Sequence, residues 1–252
     1  MMTRANATTA RAGGEQMASA TSGERSRMII TIDGPAGTGK STVAQRLSTR
    51  LALDSLDTGA MYRAIALRSL DLGMPPEDHP GMIEVADRVR LDFDWSASPP
   101  ALLVDGAPVG DRIRREDVDE RVSIVAGLPE IRSILVRAQR EIADKHPGLV
   151  TEGRDQGSVV FPDAQFRFYL DASPEVRARR RVQQLQQSGQ SADHFEVLQA
   201  IEARDRRDES RSDGPLRVPD GATIVDTSEL SLDEVVSRLV GIVEASIGGD
   251  HS

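Results

Sequence analysis

Met28-Ile29-Ile30-Thr31-Ile32-Asp33-Gly34-Pro35-Ala36-Gly37-Thr38-Gly39-Lys40-Ser41 is the stretch on which the fold turns. Its first half is a short apolar run rich in β-branched residues, the pattern of a strand buried on both faces. Its second half, Gly34 to Ser41, matches G-x-x-x-x-G-K-[ST] in full, and an amphipathic helix with Val43, Leu47 and Leu51 on one face follows it. A glycine-rich loop between a strand and a helix lets backbone N–H groups turn inward around phosphate oxygens, and the helix N-terminus adds partial positive charge. Gly34, Pro35, Ala36, Gly37, Thr38, Gly39, Lys40, Ser41 and Thr42 are therefore expected to cradle a nucleoside triphosphate. Lys40 would reach the β- and γ-phosphates and the Ser41 hydroxyl would ligate Mg²⁺.

Outward from this loop the chain alternates strands and helices. Ser55-Leu56 reads as a second strand and Ala60 to Leu72 as a helix. The pieces Leu91–Trp95, Leu102–Val104 and Ala107–Val109 are short and β-like, and Asp105-Gly106 signals a type I′ hairpin. Helices are expected over Glu116–Ala126 and Pro129–Lys145, then a strand at Leu149-Val150, a strand over Phe166–Leu170, helices over Pro174–Gln187 and Phe195–Asp208, a strand over Thr223–Val225 and a closing helix from Leu232 to Ile247. Strands separated by helices imply right-handed crossovers and a parallel sheet. The middle, with its hairpin, reads as a small antiparallel insert.

Composition narrows the function. The 252 residues carry no cysteine, which excludes disulfides, thiolate metal sites and a cysteine nucleophile and fits a cytoplasmic protein. A formal net charge of −9 argues against a nucleic-acid partner, while clustered arginines suit a small anion. No run of about 18 apolar residues is present to span a membrane. Residues 1–27, rich in Ala, Thr, Ser and Arg, read as a disordered tail or as sequence upstream of a start at Met17 or Met28, with a faint transit-peptide character as the other reading.

Three further motifs specify the acceptor: Asp57-Thr58-Gly59-Ala60-Met61-Tyr62-Arg63, then Glu152 to Ala164 (EGRDQGSVVFPDA), then Arg204 to Arg211 (RDRRDESR). From the residues alone, Arg63, Arg154 and Arg211 are candidates to clamp a dianionic phosphate, because the guanidinium fork bonds oxygens two at a time. Tyr62 suits packing against a sugar or base. With the phosphate loop, these motifs resemble the bacterial cytidylate kinase family from about Met28 to the final helix. The resemblance implies a P-loop α/β fold with a five-stranded parallel core (28–57 and 149–252), an acceptor-binding insert with a small antiparallel sheet (about 60–148) and a lid (about 178–212). It implies transfer of a phosphoryl group from ATP to CMP or dCMP, with Ser123, Arg132 and Asp155 reading cytosine, Arg204 and Asp208 at the ribose, and Thr58 near the substrate. A carboxylate can accept from the exocyclic amine that uracil lacks. Lys40, Arg154, Arg180 and Arg211 are the expected catalytic residues, acting by charge neutralisation. A monomer is expected, since the lid must swing.

Other readings stand beside these. Asp33 serves either the metal and acceptor or plain hydrogen bonding. The run Arg177 to Arg181 is either lid or solvated helix face, Arg204, Asp208 and Arg211 either site or intrahelical ion pairs, Arg154-Asp155 either site or structural pair, and Tyr62 either ligand contact or packing. The four histidines form no ligand spacing. Glu152 stands where the family often has Asp, Gln156 where an aliphatic residue is usual, and Ser158 where Thr is frequent. A different P-loop small-molecule kinase and a non-catalytic nucleotide-binding module are the competing functions.

Overall fold

The computed structural model describes residues 27–187 and 189–249, so the tail expected over 1–27 lies, except for Arg27, outside the described residues. Met28–Asp33 forms the central strand, β1, and Lys40–Leu51 the helix α1. Then come β2 (Asp54–Asp57), α2 (Thr58–Asp71), α3 (His79–Arg88), β3 (Leu91–Asp94), β4 (Ala101–Val104), β5 (Ala107–Pro108), α4 (Glu116–Val125), α5 (Pro129–Lys145), β6 (Gly148–Glu152), β7 (Phe166–Asp171), α6 (Pro174–Gln187), α7 (His194–Glu209), β8 (Thr223–Asp226) and α8 (Leu232–Gly249).

The larger sheet has five parallel strands in the order β2-β6-β1-β7-β8. Alternate residues of β1 feed two separate cores, which is why isoleucines stand on both faces of it. Ile30 and Ile32 pack with Val43, Leu47, Phe168 and Leu239 on the α1/α8 side, whereas Ile29 joins Met61, Ile65, Val122 and Leu135 on the side of α2, α4 and α5. Strand order reverses around β1, and the phosphate loop leaves its carboxyl end there, where open α/β sheets bind ligands.

The smaller sheet, β3-β4-β5, is antiparallel and lies wholly within the expected insert. Its turn has Asp105 at φ 52° and Gly106 at φ 81°, the two left-handed residues of a type I′ turn. Trp95, just past β3, stacks on His146 at 3.7 Å, and His146 Nδ1 lies 2.7 Å from Asp54 at the start of β2. His146, to which the sequence assigned no role, thus ties the small sheet to the edge of the large one.

For α2 and α3 the departure from expectation has a local cause. α2 begins at Thr58, two residues early, because the Asp57 carboxylate accepts from Ala60 N (2.9 Å) and caps it. α3 was not expected at all. Pro80 and Gly81 weaken the helical signal, yet Asp78 caps the helix and Met82, Val85 and Ala86 bury one face. Among the described residues no helix is long and apolar enough to cross a membrane.

Candidate active site

The phosphate loop is shaped by positive-φ backbone that glycine adopts most readily. Gly34 has φ 146°, and a Cβ there would lie 2.1 Å from the Leu170 carbonyl oxygen on β7. Gly37 and Gly39 are left-handed. No side chain caps α1 and its first turn holds no acid, so its leading N–H groups are left to an anion. Lys40 Nζ donates to Pro35 O across the loop (2.7 Å), as does Thr38 Oγ1 (3.1 Å). Burial, reinforced by the charge of Arg154, lowers the Lys40 ammonium to about 7. An ammonium so starved of solvent is primed for a negatively charged partner.

Ser41 Oγ donates to Glu152 Oε1 at 2.8 Å, joining the loop to the end of β6. Asp57 shares a hydrogen bond with Glu152, and burial together with that neighbouring carboxylate raises it to about 7. Asp33 makes buried hydrogen bonds. Its two oxygens accept from Gln156 N and Gly157 N at 2.7 Å each, holding the π-helical turn Gln156–Val160 against β1, and burial raises it to about 7 despite those bonds.

Facing the loop, the predicted acceptor residues converge. Asp208 on α7 holds Arg154 (Nε to Oδ2, 3.1 Å) and Arg211 (Nη2 to Oδ1, 2.5 Å). Arg204, one turn earlier, is lowered to about 10 by burial and then by Arg154, and both arginines also depress Lys40. Lys40 of the phosphate loop, Arg154 and Arg204 therefore share one electrostatic space. Arg63 pairs with Asp119 on α4 and donates to Ile113 O at 3.0 Å. Deeper, Arg132 and Asp155 form a buried ion pair whose other neighbours are Asp213, at 3.2 Å from Arg132 Nε, and the buried ring of Tyr62. Burial raises Asp155. Thr58 Oγ1 donates to Glu152 O at 2.6 Å, so it braces the end of β6. Ser123 is half-buried on α4, one turn beyond Asp119 and on the same face.

The basic run divides by function of place. Arg177 is buried and bonds Ala36 O of the phosphate loop (3.1 Å), Ala172 O (3.0 Å) and Asp205 of α7 (2.7 Å). Arg181 reaches Asp119 at 3.3 Å. Arg180, expected among the catalytic residues, places its guanidinium on Thr227 Oγ1 (3.1 Å) and Thr227 O (2.5 Å), beyond β8. Residues three and four apart lie on one helical face, so the run by itself could not say which arginine meets the loop.

Asp119, Asp205 and Asp213 were not singled out in the sequence. Asp119 lies one helical turn before Ser123 and Asp213 two residues after Arg211; proximity to those candidates was the one signal available.

Residues 30–245 match the cytidylate kinase family. The cytidylate kinase of Caldanaerobacter subterraneus subsp. tengcongensis is 43% identical over 221 residues, which span 88% of this chain and 96% of that protein. That of Corynebacterium efficiens is 44% identical over 219 residues, 87% of this chain and 95% of that one. That of Nocardia farcinica is 42% identical over 224 residues, 89% and 97%. With the phosphate loop, the converging arginines and this span of similarity in agreement, the chain belongs to the cytidylate kinase family.

Proposed function

We propose that the enzyme transfers the γ-phosphoryl group of ATP to CMP or dCMP, giving ADP and CDP or dCDP. The observation that carries this reading is the buried Arg132–Asp155 pair set beside the arginines of the acceptor side. An Asp carboxylate accepts from the exocyclic amine of cytosine, and an Arg donates to the ring acceptors; uracil would turn O4, a second acceptor, toward the carboxylate. Ser123 is the third base contact in this reading, Tyr62 packs on the nucleoside, and Arg204 and Asp208 serve the ribose.

Arg63, Arg154 and Arg211 hold the acceptor phosphate. Each is now paired with an aspartate, Asp119 or Asp208, whose carboxylate occupies the guanidinium as a phosphate would. The attacking phosphate oxygen is already anionic at neutral pH, so no general base is required. Alignment of the two phosphates and neutralisation of the charge that develops between them supply the rate. Lys40 acts from the donor side and Arg154 and Arg211 from the acceptor side. From the segment 178–212, read as the lid, Arg181 joins them more directly than Arg180.

Ser41 and Glu152 offer a hydroxyl and a carboxylate oxygen 2.8 Å apart, hard donors that fit Mg²⁺. Bound there, the ion would shield the charge of the donor phosphates. A cytoplasmic monomer in pyrimidine nucleotide metabolism is the setting proposed, in keeping with the cysteine-free chain.

Asp155→Asn tests the base-reading claim. It is expected to lower kcat/KM for CMP by about 10²-fold and to affect UMP far less. Equal losses for both nucleotides would refute it.

A further inference from the structure

Arg132 is the most enclosed guanidinium on the acceptor side, its side chain 3% exposed, and two carboxylates hold it. Its Nη2 meets Asp155, and its Nε donates to Asp213 Oδ2 at 3.2 Å. The carboxylates arrive from different parts of the chain: Asp155 follows β6, whereas Asp213 sits on the segment after α7, two residues beyond Arg211. The next residue fixes this contact. Gly214 has φ 58°, and a Cβ on it would lie 1.7 Å from Arg132 Nη2 and 2.4 Å from Asp155 Oδ2. Bare backbone therefore covers the pair. Leu216, buried, donates its N–H to Asp208 O (2.9 Å) and pins the far end of the segment.

We infer that Asp213 is a positioning residue that sets base specificity: by fixing Arg132 through Nε it aims the remaining N–H groups of that guanidinium at the acceptor base. The inference rests on the reading of Arg132 and Asp155 as the cytosine-reading pair. A guanidinium held at Nε and at one Nη has its plane fixed, which a single hydrogen bond does not achieve. The segment from Arg211 to Gly214 then carries a phosphate ligand at one end and the clamp on the base reader at the other, so phosphate capture and base reading are engaged together. Asp213 itself is half exposed, so its pair with Arg132 adds little to stability and acts through geometry.

Steady-state kinetics of the full chain with CMP and with UMP test this. Asp213→Ala is expected to raise KM for CMP about tenfold, with kcat and the KM for ATP within about twofold of the native enzyme, and to narrow the CMP:UMP preference about tenfold. Asp213→Asn keeps an oxygen that accepts from Nε and should retain most of the preference, to within about threefold. Gly214→Ala, whose methyl group strikes Arg132, should lose at least as much preference as Asp213→Ala. An unchanged CMP:UMP ratio in Asp213→Ala, or an Asn variant as damaged as the Ala variant, would overturn the inference. A native enzyme that does not prefer CMP over UMP would overturn the underlying reading and this one with it, a result visible before any variant is made.

Discussion

Arg154 Nε lies 3.1 Å from Asp208 Oδ2, and the same carboxylate binds Arg211 through its other oxygen at 2.5 Å. One buried anion thus holds two cations. Removing it leaves both arginines uncompensated in a site where little solvent reaches. Asp208→Ala should destabilise the enzyme by about 3 kcal/mol. Inorganic phosphate, which replaces the missing charge, should recover more of the melting temperature in the variant than it adds to the native enzyme. Thermal unfolding with and without phosphate measures both effects.

The buried Lys40 and Asp33 give the stability a specific pH dependence. The folded value for Lys40, about 7, lies below the roughly 10.4 of an unfolded lysine, so the unfolded chain holds the extra proton between them. Stability therefore rises with pH across that window, by at most about 1.4 kcal/mol per unit. Asp33 acts lower down and in the opposite sense. Its value is raised from 3.8 to about 7, so the folded state holds the extra proton there and stability falls as pH rises through that range. Asp57 adds to the fall. Melting temperatures from about pH 5 to about pH 9 should show a minimum near neutrality. Lys40→Met should keep the falling limb and lose the rising one.

A chain of buried amides ties α5 to the turn that follows Asp155. Thr151 Oγ1 donates to Gln156 Oε1 at 2.9 Å, and Gln156 Nε2 donates to Gln139 Oε1 at 3.1 Å. Gln156→Leu leaves both partners unpaired and should cost about 1–3 kcal/mol. Because Gln139 then has nothing to bond, adding Gln139→Leu should cost little more or recover part of the loss. A double-mutant cycle by denaturant unfolding should give a coupling energy of about 1 kcal/mol.

Glycines of the phosphate loop differ in what they permit. Gly34→Ala places a methyl group 2.1 Å from a backbone oxygen of β7 and should destabilise by more than about 3 kcal/mol. Gly39→Ala meets nothing within 4 Å and pays only for a left-handed alanine, about 1 kcal/mol. The ranking of the two midpoints in urea checks the claim.

Most of the fold was legible because local chemistry marked it. Pro129 and Pro174 fix the starts of α5 and α6, which fall where the sequence placed them, since proline at the first helical turn lacks the N–H that would go unbonded there. Asp105-Gly106 announced its hairpin by the same kind of local rule. α3 escaped because Pro80 and Gly81 obscure a helix whose support is burial of Met82 and Val85. In the site, the position of the phosphate loop between β1 and α1 was readable from spacing, and the arginines were singled out from the chemistry of phosphate. The partners Asp119 and Asp213 were not. Asp119 and Asp213 reach arginines 56 and 81 residues away in the chain, and only packing brings such pairs together. Nor could spacing distinguish Arg177, on the phosphate loop, from Arg180, on Thr227.

The most direct test of the central claim is ADP release from ATP and Mg²⁺, followed by a coupled assay, with each common nucleoside monophosphate as acceptor. CMP and dCMP should give the highest kcat/KM, UMP a lower one and AMP next to none. A best rate with AMP, or with a non-nucleotide acceptor such as shikimate, would contradict the reading of the Arg132–Asp155 pair as the cytosine site.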